Sequence, residues 1–330
     1  MFVAAPRRKA GRRTPFSADG PRGDAVQDVA MMTPAAVQRA PRRSLVDGKA
    51  LPYLLVLPAL ALEGLLILYP IVRGSLVSLE TGDGSYGLDN YATMLADPDF
   101  WAMLGHTFIY TLSVDAIILV VALAVALLMN WEFPGRAVVR SILTVPWAIP
   151  DVPVAITFVM MFDPTFGIFN GLARMLPWVD HNQNWLLDPN LAMAAVVLVT
   201  VWKGFPFYSL VLLAALQNVP DELYDAAKVD GAGVFGQFLN VTLPGIRDTV
   251  ALLAVLAFIF STQQFTLIWL ITGGGPVDAT TTLAPAIYMQ AFRFFNFGYA
   301  GAFAVIGFAI SAVATLAFVM VQRRLAREDA

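Results

Sequence analysis

Six apolar stretches, each long enough to cross a bilayer, leave this chain few folds to choose from. They run at approximately 51–79, 101–130, 141–162, 191–216, 249–271 and 299–321, and a transmembrane helix needs about 20 predominantly apolar residues. A helix satisfies its backbone polar groups internally, which hydrocarbon demands. The expected fold is therefore all-α, a polytopic membrane protein with six transmembrane helices. Composition agrees: 58% of the 330 residues are hydrophobic and 14% charged, with mean hydropathy +0.67, against roughly 45–50% apolar and 25% charged in soluble domains.

Charge orients the spans. Ten of the 21 Lys and Arg precede residue 50, against four acids there. The segment 1–49 (Arg7, Arg8, Lys9, Arg12, Arg13, then Arg39, Arg42 and Arg43) mixes Pro, Gly and Arg without apolar periodicity, so a disordered basic tail is expected. Beside a first span such a tail is what topology requires, and it suits anionic membrane lipid, with no nucleic acid partner. Met31 and Met32 are alternative starts, and no signal-peptide cleavage is expected, because the apolar run after them is too long. Six spans put both termini on one side. On that topology seventeen Lys and Arg lie inside and only Arg174 and Arg293 outside, a bias that places both termini and the polar break 217–248 in the cytoplasm. The absence of cysteine, with two histidines (His106 and His181), removes disulfides, Cys-based zinc sites and thiol catalysis; neither metal nor cofactor is expected.

Prolines interrupt several spans: Pro58 and Pro70 in the first, Pro146, Pro150 and Pro153 in the third, Pro206 in the fourth. Freed backbone groups in lipid must face protein or a water-filled cavity, so broken helices point towards a translocation route, though proline is also commoner in membrane helices generally. Ionisable residues within spans are functional candidates by default: Glu63, Arg73, Asp115, Asp151 and Lys203. Glu63 and Arg73 lie about 15 Å apart along a helix, too far to pair, and Arg73 can snorkel to the interface. Leu283 to Phe297 is aromatic and amphipathic and is expected to lie along the outer interface.

Within the polar break, Pro220 to Gly231 carries proline at a first-turn position, acids next and a glycine to end the helix, predicting a helix over 220–230. A second helix is expected from Val234 to Thr242, with Phe235, Phe238 and Leu239 on a helical spacing, ending before Pro244. Ala226 and Ala227 follow Asp225 and allow close approach of a partner, while the carboxylate seeks a basic group. The plainer alternative is an ordinary loop that pads the bundle.

Tyr224-Asp225-Ala226-Ala227-Lys228-Val229-Asp230-Gly231-Ala232, with Phe238 and Val241-Thr242-Leu243-Pro244, resembles the EAA loop of permease subunits in ATP-binding-cassette importers. The resemblance implies that Tyr224, Asp225, Ala226, Ala227, Asp230 and Gly231 couple the permease to a cytosolic ATPase through a helix seated in its cleft. Asp225 stands where the family usually has Glu. Leu270-Ile271-Thr272-Gly273-Gly274-Gly275-Pro276 with Thr280 and Thr282, then Tyr288, Phe292, Gly298-Tyr299-Ala300 and Ala302, resembles the carbohydrate branch, in particular the first membrane subunit of maltose permeases. The likeness covers roughly 50–321. It implies one permease domain over 50–330, lying in the inner membrane of a bacterial cell, with a coupling loop at 217–248. Its implied partners are a second related permease, two ATPase subunits, an extracytoplasmic binding protein and a carbohydrate substrate. The short segment 80–100 leaves no room for an extra periplasmic domain.

Aromatics, hydroxyls and amides of the kind that hold a sugar cluster at Thr200 to Tyr208 and at Phe260 to Phe265 with Trp269, although helix packing explains such clusters equally well. The family's substrate contacts, carried over by position, fall on Thr200, Lys203, Gly204, Phe207, Phe260, Ser261 and Gln264. Lys203 alternatively indicates a phosphorylated polyol. An ion-coupled secondary transporter is the rival reading, with Asp115 or Asp151 carrying the ion. No enzyme activity is expected. Gly231 to Gly236 satisfies GxGxxG, but no βαβ unit surrounds it; Gly48-Lys49 lacks the rest of a phosphate loop; and no catalytic set is apparent.

Overall fold

The computed structural model describes residues 51–82, 84–176 and 181–328, with side chains as far as Met320. It divides into two units, Met1–Pro58 and Ala59–Ala330. The described part of the first is the opening of helix α1, and the tail expected at 1–49 lies outside the described residues. In chain order the helices are α1 (Leu51–Val77), α2 (Asp89–Ala96), α3 (Pro98–Asn130), α4 (Arg136–Ala148), α5 (Asp151–Met161), α6 (Ile168–Ala173), α7 (Pro189–Leu216), α8 (Asp221–Val229), α9 (Val234–Thr262), α10 (Thr266–Ile271), α11 (Leu283–Tyr288) and α12 (Phe297–Glu328). Five of them, α1, α3, α7, α9 and α12, are long and apolar enough to cross a membrane, and α4 with α5 forms a sixth candidate bent by 95°.

The central helices α3 and α7 start the same way. In Asp97-Pro98 and Asp188-Pro189 the aspartate accepts from the N–H two residues on, at 2.9 and 2.8 Å, and the proline fills the first helical position, where its missing donor costs nothing. At the far end of α3, Arg140 Nε donates to the Met129 carbonyl at 3.2 Å, satisfying a last-turn acceptor.

Tyr110, Val114, Ile118, Ala122 and Ala126, four apart on α3, form a buried stripe that packs on α7. Ala122 and Ala126 keep that face of α3 small and let the backbones close in, and Ala192 and Ala195 are buried on α7. α7 is the centre: 56% of its most apolar window is buried, against none of α1. The exposed apolar side chains, such as Leu65, Leu66, Ile109 and Val120, are what lipid, not water, tolerates as a continuous surface. A second, smaller core joins α2, the start of α3, α11 and α12 through Met94, Phe100, Leu283 and Phe303.

Three sequence expectations change. The helix expected to stop before Pro244 runs on as α9 to Thr262, so the predicted fifth span of 249–271 shifts towards its N-terminus. A π turn over Phe238–Thr242, closed by Leu243 N–H to Phe238 O, precedes Pro244; the widened turn accommodates a ring that an ordinary turn presses against the carbonyl four residues back. The same device, Gly64–Leu68, precedes Tyr69-Pro70 within α1. Second, the predicted fifth span breaks at Gln263–Phe265 and resumes as the separate α10. Third, Arg73, placed near an interface to snorkel, forms an ion pair with Glu80 at 3.0 Å. The segment Leu283–Phe297 forms α11 and a π turn, burying Leu283, Ala286 and Ala291 and exposing Phe292, Phe294 and Phe295.

Candidate functional site

All seven positions carried over as substrate contacts line a single cavity of roughly 330 Å³ between α3, α4, α7, α9 and α10. Thr200 lies about 16 Å and Phe207 about 27 Å along α7, which is about 42 Å long at 1.5 Å per residue, so the cavity opens beside the middle of the helix. Val114, Ile118, Trp147, Tyr208 and Leu267 complete the wall. Thr200 Oγ1 pairs with Tyr110 Oη at 2.8 Å and donates to Val196 O at 3.0 Å. Ser261 Oγ donates to Asp115 Oδ1 at 3.1 Å. Trp147 and Phe207 stack with centroids 6.1 Å apart. The surface thus offers stacked aromatic faces beside an amide, two hydroxyls and an ammonium. Phe265 and Trp269, which the sequence groups with Phe260, instead stack on each other at 5.7 Å and pack against Tyr288, with Arg293 over the Trp269 ring at 4.9 Å.

Lys203 ties α7 to the bent pair. Its Nζ donates to the Trp147 carbonyl at 3.1 Å and lies 3.3 Å from Asp151 Oδ1, with the lysine side chain only 15% exposed. The carbonyl belongs to the last turn of α4, which leaves acceptors without an intrahelical partner; the aspartate opens α5, where negative charge complements the helix dipole. One ammonium therefore braces both sides of the bend. Trp147 is the aromatic wall residue that the sequence reading misses; Tyr208 closes the expected Thr200 to Tyr208 cluster, and Asp115, a candidate as an in-span carboxylate, is reached through Ser261. The aromatic beside the Ile149-Pro150 break was the one available signal, because cavities form where membrane helices break.

At one end of the bundle, beside the C-termini of α3 and α7, stands a helical knob. α8 ends in a Schellman motif: Gly231 has φ +81°, its N–H bonds to Lys228 O at 3.0 Å, and Ala232 N–H reaches Ala227 O at 2.8 Å. The predicted coupling residues split between two faces. Tyr224 turns inward, its hydroxyl 3.1 Å from Thr242 Oγ1, and Ala227 packs on the core. Asp225, Ala226, Asp230 and Gly231 face outward with Val229, Val234 and Phe235, which are 87%, 86% and 73% exposed. Asp225 meets Lys228 at 2.9 Å, an exposed pair on one helix face.

Residues 118–327 match the family described as binding-protein-dependent transport system inner membrane component. The chain belongs to that family. Among curated members it is 35% identical to the sulfoquinovosyl glycerol transport system permease protein SmoG of Agrobacterium fabrum, over 84% of this chain and 92% of that protein. It is 34% identical to the trehalose/maltose transport system permease protein MalF of Thermococcus litoralis, over 82% and 90%. The sn-glycerol-3-phosphate permease UgpA of Yersinia pestis is 35% identical over 73% and 83%. Among solved structures, a chain of a bacterial ABC transporter that imports alginate shares the fold, with TM-score 0.72 and 23% identity over 83% of this chain and 95% of that one. Membership makes this chain an inner-membrane transport permease, and matches the architecture of spanning helices around a central α7.

Proposed function

We infer that this permease forms half of the pathway through which an ATP-driven, binding-protein-dependent importer carries a carbohydrate by alternating access. The observation that carries this reading is the cavity itself: two aromatic faces, Thr200, Ser261 and Gln264 converge beside mid-helix from segments far apart in sequence. Stacked rings with amides and hydroxyls are the chemistry that binds a polyhydroxylated ligand. The names of the trehalose/maltose and sulfoquinovosyl glycerol relatives support the same class.

The other half is a second, related permease, and an extracytoplasmic binding protein delivers the ligand. Of the two cytosolic ATPase subunits in the complex, one seats the knob in its cleft; the knob combines an exposed apolar cluster with the Asp225 carboxylate, the composition of a docking patch. The positive-inside bias puts the knob and both termini in the cytoplasm. The ion-coupled reading asks Asp115 or Asp151 to hold an ion, yet Ser261 and Lys203 already engage these carboxylates. Affinity purification in mild detergent tests the assignment: a cassette-type ATPase and a second permease are expected to co-purify. Uptake by the lone chain, abolished by an ionophore, overturns it.

A further inference from the structure

The cavity's single ammonium is already matched. Lys203 reaches the cavity wall, but its charge is held 3.3 Å from Asp151, so the pair presents no net charge to the cavity. An anionic ligand entering here finds no unmatched positive charge and meets the Asp151 carboxylate beside the one ammonium, in surroundings that screen charge far less than water. A charged ligand in such a site is rejected as surely as it is attracted elsewhere, since specificity is often built from a repulsive element. An uncharged sugar meets a neutralised pair, the Gln264 amide, the hydroxyls and the Trp147 and Phe207 rings.

We propose that Asp151 is a specificity-determining residue: by holding Lys203 it sets this pathway to uncharged saccharides and against phosphorylated or sulfonated ones. The proposal rests on reading the cavity as the carbohydrate route. Removing the Asp151 charge leaves Lys203 with the Trp147 carbonyl as a neutral partner and an unmatched positive charge at the cavity wall, which an anion then stabilises.

The test bypasses the binding protein, which imposes its own selectivity. Saturation-transfer NMR on the purified complete transporter in nanodiscs compares trehalose with trehalose 6-phosphate in competition. The unaltered complex is expected to favour trehalose at least tenfold. Asp151→Asn shifts that ratio at least tenfold towards the phosphate, Asp151→Glu keeps the original preference, and adding Lys203→Gln to Asp151→Asn reverses the shift. Equal or preferred binding of the phosphate by the unaltered complex overturns the proposal while leaving the carbohydrate route intact, as does an unchanged ratio in Asp151→Asn. Contact with neither sugar overturns the carbohydrate route and the proposal with it.

Discussion

Gly204 lines the cavity and also sets how closely α3 and α7 pack, because a Cβ built there stands 2.7 Å from Ile118 Cδ1. A larger side chain must either displace Ile118 or occupy the cavity, and overpacking of this kind costs about 1–3 kcal/mol. Gly204→Leu is expected to lower thermal stability in detergent and to cut uptake at least tenfold; adding Ile118→Ala returns part of the stability but not the uptake, since the leucine still fills the route. Full recovery of uptake in the double variant assigns Gly204 to packing alone. The Gln264 side chain sits on the same wall with no hydrogen-bond partner among the described residues. Removing one hydrogen bond to a ligand is worth about 0.5–1.5 kcal/mol, so Gln264→Ala should raise the apparent transport constant by up to about tenfold with maximal rate preserved, as initial-rate uptake measures. The seven wall positions came from family likeness within two segments, and those segments do meet. Trp147 and Tyr110 lie on other helices and were illegible, because only the fold brings α3 and α4 against α7.

At the scale of elements, the knob shows what local rules can and cannot give. Its first helix and terminating glycine follow from cap chemistry, and the structure has α8 over Asp221–Val229 with the Schellman turn at Gly231. Its second helix was cut short by the proline rule, since nothing local announces that a π turn will absorb Pro244. The consequence is mechanical: α8 joins through a glycine turn to α9, a continuous helix of 29 residues that reaches Ser261 on the cavity wall. A push on the knob therefore has a continuous helix along which to travel. Gly231→Trp tests this at the exposed turn. Nothing lies within 4 Å of a Cβ there, so insertion and fold should survive at a cost of about 1–2 kcal/mol for a left-handed non-glycine residue, while uptake and ATPase association are lost. Normal uptake removes the docking role. Asp225→Ala should release ATPase subunits during purification yet barely alter the permease's own stability, because its exposed pair with Lys228 is worth only about 0.3–0.5 kcal/mol.

For the whole molecule, hydropathy made the spans legible, but not the 95° turn between α4 and α5, across which Lys203 reaches from α7 to Trp147 and Asp151. The orientation proposed from charge is open to a direct check, because the chain lacks cysteine and single thiols can be introduced without background. Val277, 91% exposed in the loop before α11, and Val229, 87% exposed on the knob, lie on segments separated by the length of α9. An odd number of crossings between them puts them on opposite faces, and seventeen internal basic residues against two place the knob inside. In intact cells Val277→Cys should react with a membrane-impermeant maleimide, while Val229→Cys reacts only after permeabilisation. Loading the complex with its ATPase should then slow labelling at Val229→Cys and leave Val277→Cys unchanged. Labelling of Val229→Cys in intact cells inverts the topology, and the docking surface, the cytoplasmic termini and the direction of transport fall with it.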